Sequence, residues 1–303
     1  MRRFKNILAV YELVPGGDET LEKAVDLAQR NSAHLTVVHA SNLFAEEHEK
    51  KEERERLLSR IMSGVQLAKG QKSLKVEHGP AVESILKVAD EIAADLIITP
   101  DQKKGFYAQV MGADTSVELL RRSRCPTWIM RPRVTDGQRC NIVAAVNAGK
   151  PNALDCAGNQ RILEIAASLA IIENAQLHLV YAWDYEGNER EMMLSELPPG
   201  KYEELTEEAR RRHRACIIDL VGHVLDDFID YMPIPERGDP RSVVVDYVNN
   251  QNADLLIIDG RIEGALKSAL MTNTATHLLR QTDCSVLCTS PVTGASGTSQ
   301  AAA

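Results

Sequence analysis

The stretch DLLIIDGRIEGALKSALMTNTA, Asp254 to Ala275, joins an apolar run to a turn with two glycines and a polar entrance to a helix. Such a turn can do one piece of chemistry without a catalytic side chain. Glycines let backbone N–H groups approach an anion, and the next helix adds the unpaired N–H groups of its first turn and the positive end of its dipole. Gly260 and Gly264 supply bare backbone, Arg261 a cation, and Asn273 and Thr274 side chains that cap a helix. The plainer alternative is that the glycines only shape the turn and Asn273 or Thr274 only caps. Covalent chemistry has less to work with. The eight histidines are scattered with no HxxxH or HxH pair, and no GxSxG elbow occurs. The six cysteines form neither a CxxC pair nor a zinc spacing, which points to buried, reduced thiols. These observations predict a noncatalytic protein with neither a metal site nor a dedicated cofactor.

The elements that must position this turn are written twice. EHGPAVESILKVADEIAADLIITPDQKKG, from Glu77, lies over ERGDPRSVVVDYVNNQNADLLIIDGRIEG, from Glu236, and the register runs without a gap from Glu77–Met130 onto Glu236–Thr289. Gly79 meets Gly238, Asp95 meets Asp254, Thr115 meets Thr274 and Cys125 meets Cys284. Upstream, NILAVYE from Asn6 answers NIVAAVN from Asn141, and AHLTVVHA from Ala33 answers AQLHLVYA from Ala175. Each copy alternates short β-branched runs with stretches of helical period, the pattern of βαβ units on a parallel sheet. In the first copy the strands are expected near 6–11, 34–39, 73–77, 95–99 and 126–130. ETLEKAVDLAQRN puts Leu21, Ala24, Val25, Leu27 and Ala28 on one stripe, as a helix packed on a sheet requires.

AEEHEKKEERERLLSRIM is more polar and reads as a largely exposed helix. In the second copy, the third strand, YMPIPE, carries Pro233 and Pro235, which cannot donate ladder hydrogen bonds and so place it at a sheet edge. Ahead of it, DYEGNEREMMLSELPPG reads as an irregular surface insert. The expected organisation is a first domain over 1–132, a linker over 133–139, a second domain over 140–291 and a disordered tail over 292–303.

Composition removes several classes. The net charge of −8 and 4% aromatic content argue against direct nucleic-acid binding, which needs a basic face or stacking platforms. No run of about 18 apolar residues occurs. The N-terminal apolar run is too short for a signal peptide, so a cytoplasmic location without membrane insertion is expected.

With both copies laid out, the chain resembles the universal stress proteins in their tandem two-domain form, its E branch above all. The likeness runs from NILAVYE to CPTWIMRP and from NIVAAVN to CSVLCTSP. It implies an α/β fold of the adenine-nucleotide alpha-hydrolase-like type: two tandem open parallel five-stranded sheets, each of order 3-2-1-4-5, with helices on both faces. The binding crevice then lies where strand order reverses, between strands one and four at their carboxyl ends. The turns involved follow Val10 and Thr99 in one copy, and Val146 and Ile258 in the other.

In relatives that bind ATP, the turn after strand four reads G-x-x-G, nine residues, then G-S or G-T, and an Asp ends strand one. The first copy departs from this with Pro100, Lys103, Ala113 and Asp114 at the glycine and closing positions and Glu12 at the acidic one. The second copy has Asp259, Ile262, Thr272 and Asn273 there, with Asn147 in place of the Asp. The candidate ligand-binding residues are therefore Asn147, Gly260, Arg261, Gly264, Asn273 and Thr274, and Tyr181, Trp183 and Met192 or Met193 could line an apolar extension. The resemblance implies a stress-response role, including DNA damage, through sensing of an unidentified small ligand or docking of a protein partner. The alternative is a nucleotide switch with a weak adenine-nucleotide site in the second copy. It also implies an intramolecular pseudo-dimer through the two fifth strands, with further oligomerisation left open.

Overall fold

The computed structural model describes residues 3–12, 16–41, 48–68, 70–101, 115–132, 139–147, 153–184, 189–198, 200–225, 229–259 and 274–289. The first copy runs β1 (Asn6–Val10), α1 (Gly17–Asn31), β2 (His34–Ser41), α2 (His48–Gly64), β3 (Lys72–His78), α3 (Ala81–Glu91), β4 (Leu96–Pro100), α4 (Thr115–Arg122) and β5 (Thr127–Met130). The second runs β6 (Asn141–Ala145), α5 (Ala153–Glu173), β7 (Gln176–Trp183), α6 (Glu189–Glu196), α7 (Lys201–Gly222), β8 (Tyr231–Arg237), α8 (Pro240–Asn250), β9 (Leu255–Asp259), α9 (Thr274–Gln281) and β10 (Ser285–Thr289). Helix α6 falls inside the insert that the sequence suggests is irregular.

The expectation of two separate five-stranded sheets is corrected here: the strands form one sheet of ten, ordered β3-β2-β1-β4-β5-β10-β9-β6-β7-β8. Each half keeps the 3-2-1-4-5 order with parallel pairing, and β5 joins β10 antiparallel, Trp128 opposite Leu287 and Ile129 opposite Val286. Both strands are almost wholly buried, so leaving either as an open edge would expose apolar side chains and unpaired backbone groups. Strand β8, with its two prolines, is an outer edge.

The apolar pattern decides the layers. Every residue of β4 is buried, as a strand covered on both faces requires. On one face, α1, α2, α5 and α7 share a single core running across both halves, from Leu21, Leu27 and Leu58 to Ile162, Ile217 and Val221. On the other, α3 packs in its own cluster, while Val117 and Leu120 of α4 join Leu278 and Leu279 of α9 across the midline. Polar ties reinforce the junction: Arg3 with Glu164 at 2.5 Å, Lys23 with Glu173 at 2.6 Å, and Arg30 Nη1 donating to the Ile172 carbonyl.

One matched pair explains itself. Asp95 accepts from the Lys5 and Asn6 N–H groups, and Asp254 accepts from that of Asn141, so each aspartate ties the start of strand four to the start of strand one in its copy. Burial still pushes the Asp95 carboxyl up from its ordinary value, against the pull of those hydrogen bonds. Among the described residues, no helix is long and apolar enough to cross a membrane.

Candidate functional site

In the first copy, the switch point lies between the carboxyl ends of β1 and β4, which pair from Ile7 with Leu96 to Ala9 with Ile98. Gly16, at φ 92°, and Gly17 lead into α1. A Cβ on Gly17 would meet the Glu12 carbonyl oxygen at 2.2 Å, and one on Gly16 would touch Pro100 at 3.8 Å. The chain thus folds back over the crevice at van der Waals distance. Around it stand Glu12, Asp18, Glu19 and Asp101; Asp18 accepts from the Tyr11 hydroxyl at 2.7 Å. That contact, behind the larger effect of burial, pushes the Tyr11 phenol up to about 12.

The turn after β4 begins without donors. Pro100 has no N–H, and that of Asp101 goes to the Met130 carbonyl at 2.8 Å. The Asp101 carboxylate is held by Arg131 Nε at 2.6 Å. The same guanidinium reaches into the other half, donating to the carbonyls of Leu279 at 2.5 Å, Cys284 at 3.1 Å and Thr282. Arg131 therefore satisfies carbonyls at the end of α9 that no helical N–H can meet. Sequence reasoning passed over Asp101 and Arg131; the signal available was a lone charge on each side of an apolar strand pair.

In the second copy, β6 and β9 pair from Ile142 with Leu255 to Ala144 with Ile257, and Asn147 stands just past the end of β6. It is exposed, and its backbone is committed: its N–H goes to Asn159 Oδ1 at 2.9 Å, and Asn159 Nδ2 returns to its carbonyl at 2.6 Å. Asn159 is 2% exposed and was also missed; an amide within the apolar run of α5 was the clue. At the end of β9, Asp259 accepts from Thr289 Oγ1 at 3.3 Å. Thr274 is the first residue of α9, so that helix does begin where the register places it. Gly260, Arg261, Gly264 and Asn273 lie outside the described residues, as do Lys103, Ala113 and Asp114.

Tyr181 and Trp183 pack inward on His213 of α7, with ring centroids 5.4 and 4.6 Å away, and belong to the main core. Met192 is exposed and Met193 half-buried, both on α6. Burial, followed by the neighbouring Arg212, pulls the His213 imidazole down. His178 is buried in β7 with its Nδ1 2.7 Å from the Tyr247 hydroxyl. Among the described residues, no group of three or more His, Cys, Asp or Glu is placed to hold a metal ion. Burial raises the Cys125 and Cys284 thiols to about 11 and Cys288 to about 12, which removes their nucleophilic form at neutral pH.

Comparison with known proteins agrees with this geometry. The model of the universal stress protein family matches residues 3–131 and again 153–290. Universal stress protein E of Photorhabdus laumondii subsp. laumondii is 22% identical over 224 residues, 71% of this chain and 68% of its own. The crystal structure of a functionally unknown protein from Pseudomonas aeruginosa PAO1 superposes with a TM-score of 0.69 at 18% identity, covering 96% of this chain and 94% of the other. A universal stress protein from Archaeoglobus fulgidus DSM 4304 gives 0.64 at 16% identity, covering 94% and 96%. At those identities the structures speak for the fold alone. With the family's model matched twice along the length, the chain belongs to the universal stress protein family, as two of its domains in tandem.

Proposed function

We propose that this chain is a noncatalytic stress-response protein of the cytoplasm, acting by small-ligand sensing or partner docking, with a role in stress resistance that extends to DNA damage. Family membership implies a stress-response role, and members are generally regarded as non-enzymatic although some bind ATP. The observation that carries the reading is the first-copy turn. Pro100 offers no donor, the Asp101 N–H is spent on Met130, and the Arg131 cation beside the turn is already committed to the Asp101 carboxylate. A triphosphate needs the reverse arrangement.

Calorimetric titration of the full chain with MgATP tests this, alongside an assay of phosphate release. No specific heat and no turnover are expected; hydrolysis above background refutes the noncatalytic reading. Binding abolished by Arg261→Ala and by Gly264→Asp would instead favour the nucleotide switch, for which the retained Gly260 and Gly264 speak. Native mass spectrometry of protein purified without added nucleotide would identify a retained ligand by its mass.

A further inference from the structure

The two copies differ at the ends of α4 and α9. In the second copy the carbonyls at the end of α9 are met from two sides: Arg131 takes those of Leu279, Thr282 and Cys284, and Asn249 Nδ2 at the end of α8 donates to that of Gln281 at 3.4 Å. The register puts Asp90 of the first copy where Asn249 stands, and Ser290 of the second copy where Arg131 stands in the first. A carboxylate has no proton to donate to a carbonyl, and serine carries no guanidinium. Among the described residues, the matching Leu120, Arg122 and Ser123 carbonyls receive no hydrogen bond, whereas that of Cys125 accepts from Ser123 Oγ at 2.8 Å and Thr127 Oγ1 at 3.3 Å.

The gap has volume. Where the second copy has Val248 and Asn252, the first has Ala89 and Ala93, and between the ends of α3 and α4 lies a cavity of about 360 Å³. Leu86, Ala89 and Ala94 give it an apolar wall, Asp90 and Arg124 stand on it, and Cys125 lines it too. Its field is negative at the thiol: besides burial, Asp95 and Asp90 push Cys125 upward. Of the two arginines, Arg122 is neutralised by Glu83 at 2.6 Å, which leaves Arg124 as a cation at the mouth.

We propose that this cavity binds a small organic cation, an alkylammonium or guanidinium compound, whose N–H groups supply the Arg122 and Ser123 carbonyls and Asp90, which line it, with donors as Arg131 and Asn249 do in the other copy. The negative end of the α4 dipole favours the same charge, and Arg124 favours a ligand that also carries a carboxylate. The site lies just before the starts of β4 and β5, at the end of the first copy's strands opposite that copy's own switch point.

Amide chemical shifts of the full-length chain, titrated separately with L-arginine, agmatine and sodium acetate, test it. L-Arginine is expected to move the resonances of residues 86–94 and 122–125 saturably, with a Kd of about 1 mM for a ligand of this size. Agmatine should bind more weakly through loss of the Arg124 contact, and acetate should not saturate. Asp90→Asn, which restores the donor of the second copy, should weaken L-arginine binding at least about tenfold. Ala89→Val, which narrows the cavity as the second copy does, should weaken it independently. Unsaturable shifts, shifts scattered over the acidic surface, or equal binding by Asp90→Asn and Ala89→Val would overturn the proposal.

Discussion

Arg131→Ala removes a guanidinium that ties the first-copy turn to the last helix of the second. The side chains of Arg131 and Asp101 are 12% and 7% exposed, so water cannot replace the contact freely. The substitution leaves Asp101 as an uncompensated, mostly buried carboxylate and strips donors from the carbonyls of Leu279, Thr282 and Cys284. Breaking a buried pair by deleting one partner costs about 3–5 kcal/mol, and the orphaned carbonyls push toward the upper end. With a urea m-value of roughly 3 kcal/mol/M, the midpoint should fall by about 1–2 M.

The partner change separates charge from shape. Adding Asp101→Asn to Arg131→Ala should recover part of the loss, because the stranded charge is gone, and Arg131→Lys should fall between, since an ammonium cannot span all four acceptors. The assay is equilibrium urea unfolding followed by circular dichroism and by tryptophan fluorescence in a Trp183→Phe background, which leaves Trp128 at the junction as the reporter. Because the clamp joins the halves, the two probes should separate in Arg131→Ala where they coincide in the parent. A stability within about 0.5 kcal/mol of the parent, with coincident probes, would refute the reasoning.

Other consequences are as direct. Gly17→Ala places a methyl 2.2 Å from the Glu12 carbonyl, so the turn must open; a loss of about 2 kcal/mol or more is expected in the same assay, and an unchanged midpoint would mean that the backbone does not approach so closely. At neutral pH a water-soluble disulfide reagent should label exposed Cys216 well before Cys125, Cys284 or Cys288, and equal rates by peptide mass mapping would contradict the raised thiols. Burial lowers His178 and His213 below 6.5, so the unfolded chain takes up protons first as pH falls. Stability should therefore be full above about pH 6.5 and decline below it. Replacing His178 by Gln should flatten that decline in thermal melts at pH 7 and pH 5.5; identical slopes would remove His178 as a contributor.

Much was legible in the chain alone because its signals are local or repeated. Short β-branched runs marked the five strands of the first copy, the repeat carried that plan to the second, the family likeness implied the strand order of each half, and two prolines marked β8 as an edge. The loss of the leading glycines was equally plain, since Pro100 lacks a donor whatever surrounds it. The candidate site was legible only as residue types; among its six members the described structure places Asn147 and the start of α9 at Thr274.

What periodicity could not contain is what one copy does to the other. Fusion into a single ten-stranded sheet depends on β5 meeting β10, and the Arg131 clamp joins residues 148 to 154 positions apart, a separation at which no local pattern announces a contact. Nothing local singles out Asp101 or Asp90, whose surroundings are set by residues far along the chain. Sequence alone determined two like units and their inner order, because side-chain period and backbone donors are properties of each segment. Only the tertiary structure decided that the units share one sheet and that one helix end is satisfied while its twin is not, because burial and charge pairing depend on which distant groups arrive.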